Sequence, residues 1–96
     1  MNYIEININN NRIYIDIKRK IITINNTEKE ITEEKLYALL RIIRIWRKEY
    51  NNPKIIDGEK FLIKISTTEG IDTIEGNGDY PSNYSSLKKW ISDIHE

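Results

Sequence analysis

Histidine is the side chain most often recruited for proton transfer near neutral pH. This chain has one, His95, next to the last residue, where chain ends fray and side chains are solvated. No serine stands in a nucleophile-elbow pattern. The absence of cysteine removes a thiolate nucleophile, thiolate zinc sites and disulfides together. Carboxylates are plentiful, but nothing in their spacing fixes two of them on one buried face. Asp72, Glu75, Asn77 and Asp79 do crowd a short stretch with Gly76 and Gly78, and hard cations take oxygen ligands from such loops. The stretch nevertheless lacks the EF-hand spacing and its bidentate twelfth-position glutamate. Gly76-Asn77-Gly78 precedes a helix, where anions bind, but the strand before it belongs to a hairpin and Asp79 would repel phosphate. The simpler reading is a polar corner, with Gly76 and Gly78 supplying positive φ. The sequence therefore predicts a non-enzymatic protein with no catalytic residue, no metal and no cofactor.

Basic and aromatic side chains are the stronger candidates. Arg41, Arg44 and Arg47 recur at helical spacing, and Arg12, Lys18, Arg19 and Lys20 add to them. On one face they would suit phosphates, a nucleotide or an acidic protein surface. Alternatively they form a solvated helix face, with Lys18-Arg19-Lys20 protecting a sheet edge. Trp46 and Trp90 fall at core-like helical phase, and Tyr14, Tyr37 and Tyr50 suit a surface. Trp, Tyr and Arg dominate interface hot spots, so Trp46, Arg47 and Tyr50 together make a plausible partner anchor. The candidate binding residues are Arg41, Arg44, Arg47, Tyr50, Trp46 and, at the Gly-rich corner, Tyr80.

These residues need elements to hold them. Ile4, Ile6 and Ile8 alternate with polar residues, as do Ile13, Ile15 and Ile17, which is the signature of half-buried strands. Asn9-Asn10-Asn11 between them suits a tight hairpin. Ile21, Ile22 and Ile24 predict a third short strand before an Asn25-Asn26 turn, with Glu30-Ile31 a weak continuation. Thr32 is a good N-cap, followed by Glu33 and Glu34 where the helix dipole favours anions. Leu36, Leu39, Leu40, Ile43, Trp46 and Tyr50 then predict a helix running to Asn51-Asn52-Pro53, where proline stops it. Lys54 to Glu59 reads as a connector with a turn at Asp57-Gly58 and Ile55-Ile56 tucked beneath it. Phe61, Ile63 and Ile65 form a strand, Thr67-Thr68-Glu69-Gly70 a turn, and Ile71 to Glu75 a second strand. Pro81 opens a closing helix carrying Leu87, Trp90, Ile91 and Ile94. The predicted class is α+β: an antiparallel sheet of four to five strands with two helices, in the order ββ(β)αββα.

At 96 residues the chain has the length of one domain, residues 1–96. Hydrophobic residues make up 39% and charged residues 31%, with a formal net charge of +0, which is ordinary for a globular protein and argues against a dedicated nucleic-acid binder. Residues 1–48 hold ten basic and six acidic side chains, and residues 49–96 five and nine. Such a split can place a basic and an acidic face on the molecule. Isoleucine supplies about a fifth of the chain while valine and glutamine are absent. Codon bias in an AT-rich genome is the plainest reason. No apolar run reaches the roughly 20 residues of a membrane helix, and the N-terminus lacks a signal-peptide layout, so the expectation is a cytoplasmic protein with no membrane partner.

The segment Gly78-Asp79-Tyr80-Pro81-Ser82-Asn83-Tyr84, followed by Leu87 and Trp90-Ile91, resembles a group of small, mostly uncharacterised proteins from AT-rich bacteria and their phages. In these a β-hairpin leads through Gly…Tyr-Pro-x-Asn-aromatic into a short closing helix. The resemblance covers roughly residues 61–94, and Gly78-Asp79 replaces the usual small residues before Tyr-Pro. By size and type the chain is also similar to phage-encoded anti-defence proteins, a class that includes anti-CRISPR inhibitors and sponges for nucleotide second messengers. That likeness implies a host defence protein as partner and steric inhibition. It also allows a nucleotide held at a homodimer groove. A toxin-immunity or structural module is the third expectation.

Overall fold

The computed structural model describes residues 1–9, 11–51 and 59–95. Strands β1 (Tyr3–Ile8), β2 (Asn11–Asp16), β3 (Ile21–Ile24) and β4 (Thr27–Glu30) come first, then helix α1 (Glu33–Ile43). Strands β5 (Glu49–Asn51), β6 (Lys60–Thr67) and β7 (Gly70–Asn77) follow, and helix α2 (Tyr84–His95) closes the chain. The class is α+β with two helices, as expected, but the sheet differs from the expectation in two respects. Among the described residues it has seven strands, in the order β4-β3-β2-β1-β6-β7-β5. It is also mixed, because β5 runs parallel to β7 while every other pair is antiparallel.

Asparagine makes two of the tight turns. The β3–β4 loop is Asn25-Asn26, both at positive φ (46° and 75°), the two-residue geometry whose twist matches that of the flanking strands. This turn folds back a segment, Thr27–Glu30, that has no apolar alternation and is exposed throughout. Charged side chains along such an edge discourage further pairing, and the lack of alternation is why the sequence pattern shows only a weak continuation there. Asn9 turns the chain out of β1 at φ 53°.

Register sorts the side chains by face. Ile4, Ile6 and Ile8 sit beside Ile15 and Ile13 on one side and Ile65, Ile63 and Phe61 on the other. Ile22 and Ile24 extend this inner face on one side and Ile74 extends it on the other. Both helices lie on it. Leu36, Leu39 and Ile43 of α1 and Leu87, Trp90 and Ile94 of α2 join the same buried cluster, and the Trp90 indole N–H donates to the Lys35 carbonyl at 2.8 Å. The outer face is polar: Glu5 accepts from Arg12 at 2.8 Å and from Asn7 at 3.1 Å, and Tyr3 stacks on Tyr14 at 5.2 Å.

Helix α1 begins as predicted, with the Thr32 hydroxyl accepting from the Lys35 amide at 3.3 Å. It does not run to Tyr50. It stops at Ile43, and Glu49–Asn51 is a strand. The run Ile42, Ile43, Ile45, Trp46 is β-branched and aromatic, so its intrinsic helix preference is weak, and tertiary bonds take over. The predicted stop at Pro53 and the connector features at Lys54, Ile55-Ile56 and Asp57-Gly58 lie outside the described residues.

Candidate functional site

Trp46, Tyr50, Phe61, Tyr80 and Tyr84 meet where the end of α1, the start of β6 and the start of α2 converge. Trp46 lies edge-on to Phe61 at 5.7 Å between centroids, Phe61 and Tyr84 are 5.2 Å apart, and Tyr80 stacks on Tyr84 at 4.7 Å. The rings come this close because Gly76 lies directly under Phe61. A Cβ placed on Gly76 would stand 2.2 Å from the ring. Gly76 thus serves close approach; it is Gly70 and Gly78, not Gly76, that adopt positive φ.

The Tyr-Pro-x-Asn-aromatic segment acts as a clamp. Asn83 accepts from the Trp46 indole N–H at 2.6 Å and donates its amide to the Ile42 carbonyl at 3.0 Å. It thereby satisfies one of the carbonyls that a helix end leaves unpaired. Tyr80 donates to the Glu59 carbonyl at 2.9 Å, and Tyr84 donates to the Glu59 carboxylate at 3.0 Å. That carboxylate also accepts from Lys88 at 3.1 Å and Asn9 at 2.7 Å. Burial, reinforced by the bond to Glu59, raises the Tyr84 hydroxyl well above its usual value and keeps it protonated.

The clamp fixes the loop that follows α1. The Trp46 amide donates to the Ile43 carbonyl at 3.1 Å, and the Arg47 amide donates to the Tyr50 hydroxyl at 2.8 Å. Trp46 points inward at 9% exposure. Its neighbours point outward: Arg44, Arg47 and Lys48 are exposed, and Ile45 is 70% exposed. Arg47 lies over the Tyr50 ring at 4.7 Å and 4.0 Å from Asp79. Among the described residues, Arg41, Arg44 and Lys48 take part in no ion pair.

The six candidate residues therefore divide. Trp46 and Tyr50 are core side chains, Tyr50 at 6% exposure, so the sequence-based placement of Tyr50 on the surface is corrected. Its ring faces inward because β5 pairs Tyr50 with Gly76. Tyr80 is half-buried in the same cluster. Arg47 covers this cluster from outside. Arg41 is the only one of the three arginines within α1, so they do not form a helical stripe; Arg44 and Arg47 belong to the loop. Ile45 and Lys48 were not among the candidates. A continued α-helix would also set Ile45 roughly opposite Leu36 and Ile43, so its outward position does not depend on the early helix end.

The acidic stretch is dispersed by strand geometry. Asp72 sits on the inner-face register of β7 opposite Ile65, whereas Glu75 and Asn77 belong to the outer face. Among the described residues no three His, Cys, Asp or Glu side chains gather as metal ligands, and no helix is long and apolar enough to cross a membrane.

No protein-family model matches the chain, and comparisons with curated proteins and with solved structures also give no match.

Proposed function

We propose that the chain is a non-enzymatic binding protein that acts by protein–protein contact, as phage-encoded anti-defence inhibitors do, with a host defence component as partner. One observation carries the reading. A five-residue loop, 44–48, is tied to the core through Trp46 while Ile45 stands 70% exposed between cationic neighbours. Loops held by a rigid scaffold are where binding residues concentrate, and a loop already ordered in the free protein loses little entropy on docking. A nucleotide sponge needs arginines and tyrosines facing one groove. Among the described residues Arg47 is the one arginine that lies over a tyrosine ring, and it already neighbours Asp79.

A photo-crosslinking residue at position 45, expressed in the chain's native cells, tests this. The expectation is one dominant protein adduct from position 45 and none from position 37, which is similarly exposed on α1. Identical adduct patterns from both positions, or none from either, would contradict the proposal.

A further inference from the structure

Resting on that reading, we infer that the partner surface met by loop 44–48 is acidic, with an apolar notch that receives Ile45. The loop has the make-up of a small protein interface: an apolar centre with a polar rim. Ile45 is the centre. Arg44, Arg47 and Lys48 form the rim, and Arg41 lies one turn back on α1. An exposed isoleucine has no role against a phosphate backbone. Asp79, 4.0 Å from Arg47, and exposed Glu49, next along the chain, break up the basic run, which suits a few discrete carboxylates on a folded surface better than a continuous row of phosphates. Against carboxylates the same arrangement works. Arg47 is held out over Tyr50, its guanidinium centre 4.7 Å from the ring, so its planar fork needs little reordering to pair with an aspartate or glutamate. Arg44 and Lys48 supply charge that no described carboxylate neutralises.

The notch must be shallow, because Ile45 has only its own side chain to insert: its neighbour Trp46 is committed inward, to Asn83. Specificity therefore rests on the rim charges, and rim charges act mainly through association rate and salt dependence.

The test uses the whole chain as bait against a displayed library of random peptides, with a single-stranded oligonucleotide as a parallel probe. Enriched peptides should carry Asp or Glu around one or two apolar residues. Their binding should fall at least tenfold for Arg44→Glu/Lys48→Glu and for Ile45→Asp, and should weaken as salt is raised. Circular dichroism melts should be unchanged, because all three positions are exposed. Peptides without acidic residues, peptides that bind the Ile45→Asp variant equally well, capture of the oligonucleotide in place of peptides, or no enrichment would each overturn the inference. Failure here is separable from failure of the binding reading. A protein adduct at position 45 whose contact surface is neutral or basic would sink the acidic notch alone, while loss of any adduct would sink both.

Discussion

Gly76 and Phe61 show how much one missing side chain can hold. Phe61 touches Trp46, Tyr50, Tyr80 and Tyr84 because Gly76 leaves it room. Gly76→Ala would press a methyl group into the ring, and the obstruction is an aromatic face, not the end of a flexible chain. Overpacking of this kind costs about 1–3 kcal/mol, so the melting temperature should fall by roughly 5–20 °C in a chain of this size. Scanning calorimetry of the variant measures it. Glu5 is the corresponding electrostatic case. The Arg12 hydrogen bond holds its carboxyl below the usual 4.5, with Asn7 and Lys64 adding to the effect. A carboxylate with a depressed folded pKa stabilises the fold above its unfolded value, and that contribution disappears as pH falls through the folded value. Chemical denaturation from pH 7 down to acid should show wild type losing stability below about pH 4.5. Glu5→Gln should start less stable at pH 7 and lose less on acidification, so the two curves converge.

At the scale of elements, the end of α1 is decided by Asn83, some forty residues away in sequence. Asn83→Ala leaves the Trp46 indole N–H and the Ile42 carbonyl without their partners. Unsatisfied groups of this kind cost about 1–3 kcal/mol. The variant should lose roughly that much in urea and show a red-shifted tryptophan emission as Trp46 gains water. An unchanged spectrum would mean that Trp46 is held by packing alone. The same contact explains what could and could not be read in the sequence. Strands with alternating isoleucine (β1, β2, β3, β6) and the Thr32 cap are local patterns, and they were legible. The closing helix opens not at Pro81 but at Tyr84, after a turn in which the Tyr84 amide donates to the Pro81 carbonyl. Strand β5 was not legible, because Glu49, Tyr50 and Asn51 take their conformation from β7. Strand β4 is set by the Asn25-Asn26 turn and not by its own polar residues. The candidate site was legible in part for the same reason. Trp46, Arg47 and Tyr50 were recognisable by type, but residue type alone set Tyr50 on the surface, whereas its pairing opposite Gly76, which no local pattern announces, buries it.

For the molecule as a whole, both helices cover one face of the sheet and the other face stays polar. The buried side chains form one cluster running from Ile22 and Ile24 through Ile63 to Ile94. The apolar surface is thus largely spent on folding. Among the described residues the exposed large hydrophobics are Met1, Tyr37, Ile45 and Ile71, and of these only Ile45 lies within a run of basic residues. The first half of the sequence carries the excess positive charge, and the loop after α1 is where that excess meets an outward apolar group.

Quantitative co-purification from native cells, comparing wild type with Ile45→Asp at matched expression, puts the central claim to the most direct test. Loop 44–48 as the docking surface predicts a partner recovered with wild type and reduced at least tenfold with the variant, while both proteins melt at the same temperature. Equal recovery of the same partner by two equally stable proteins would place the interface elsewhere and contradict the account.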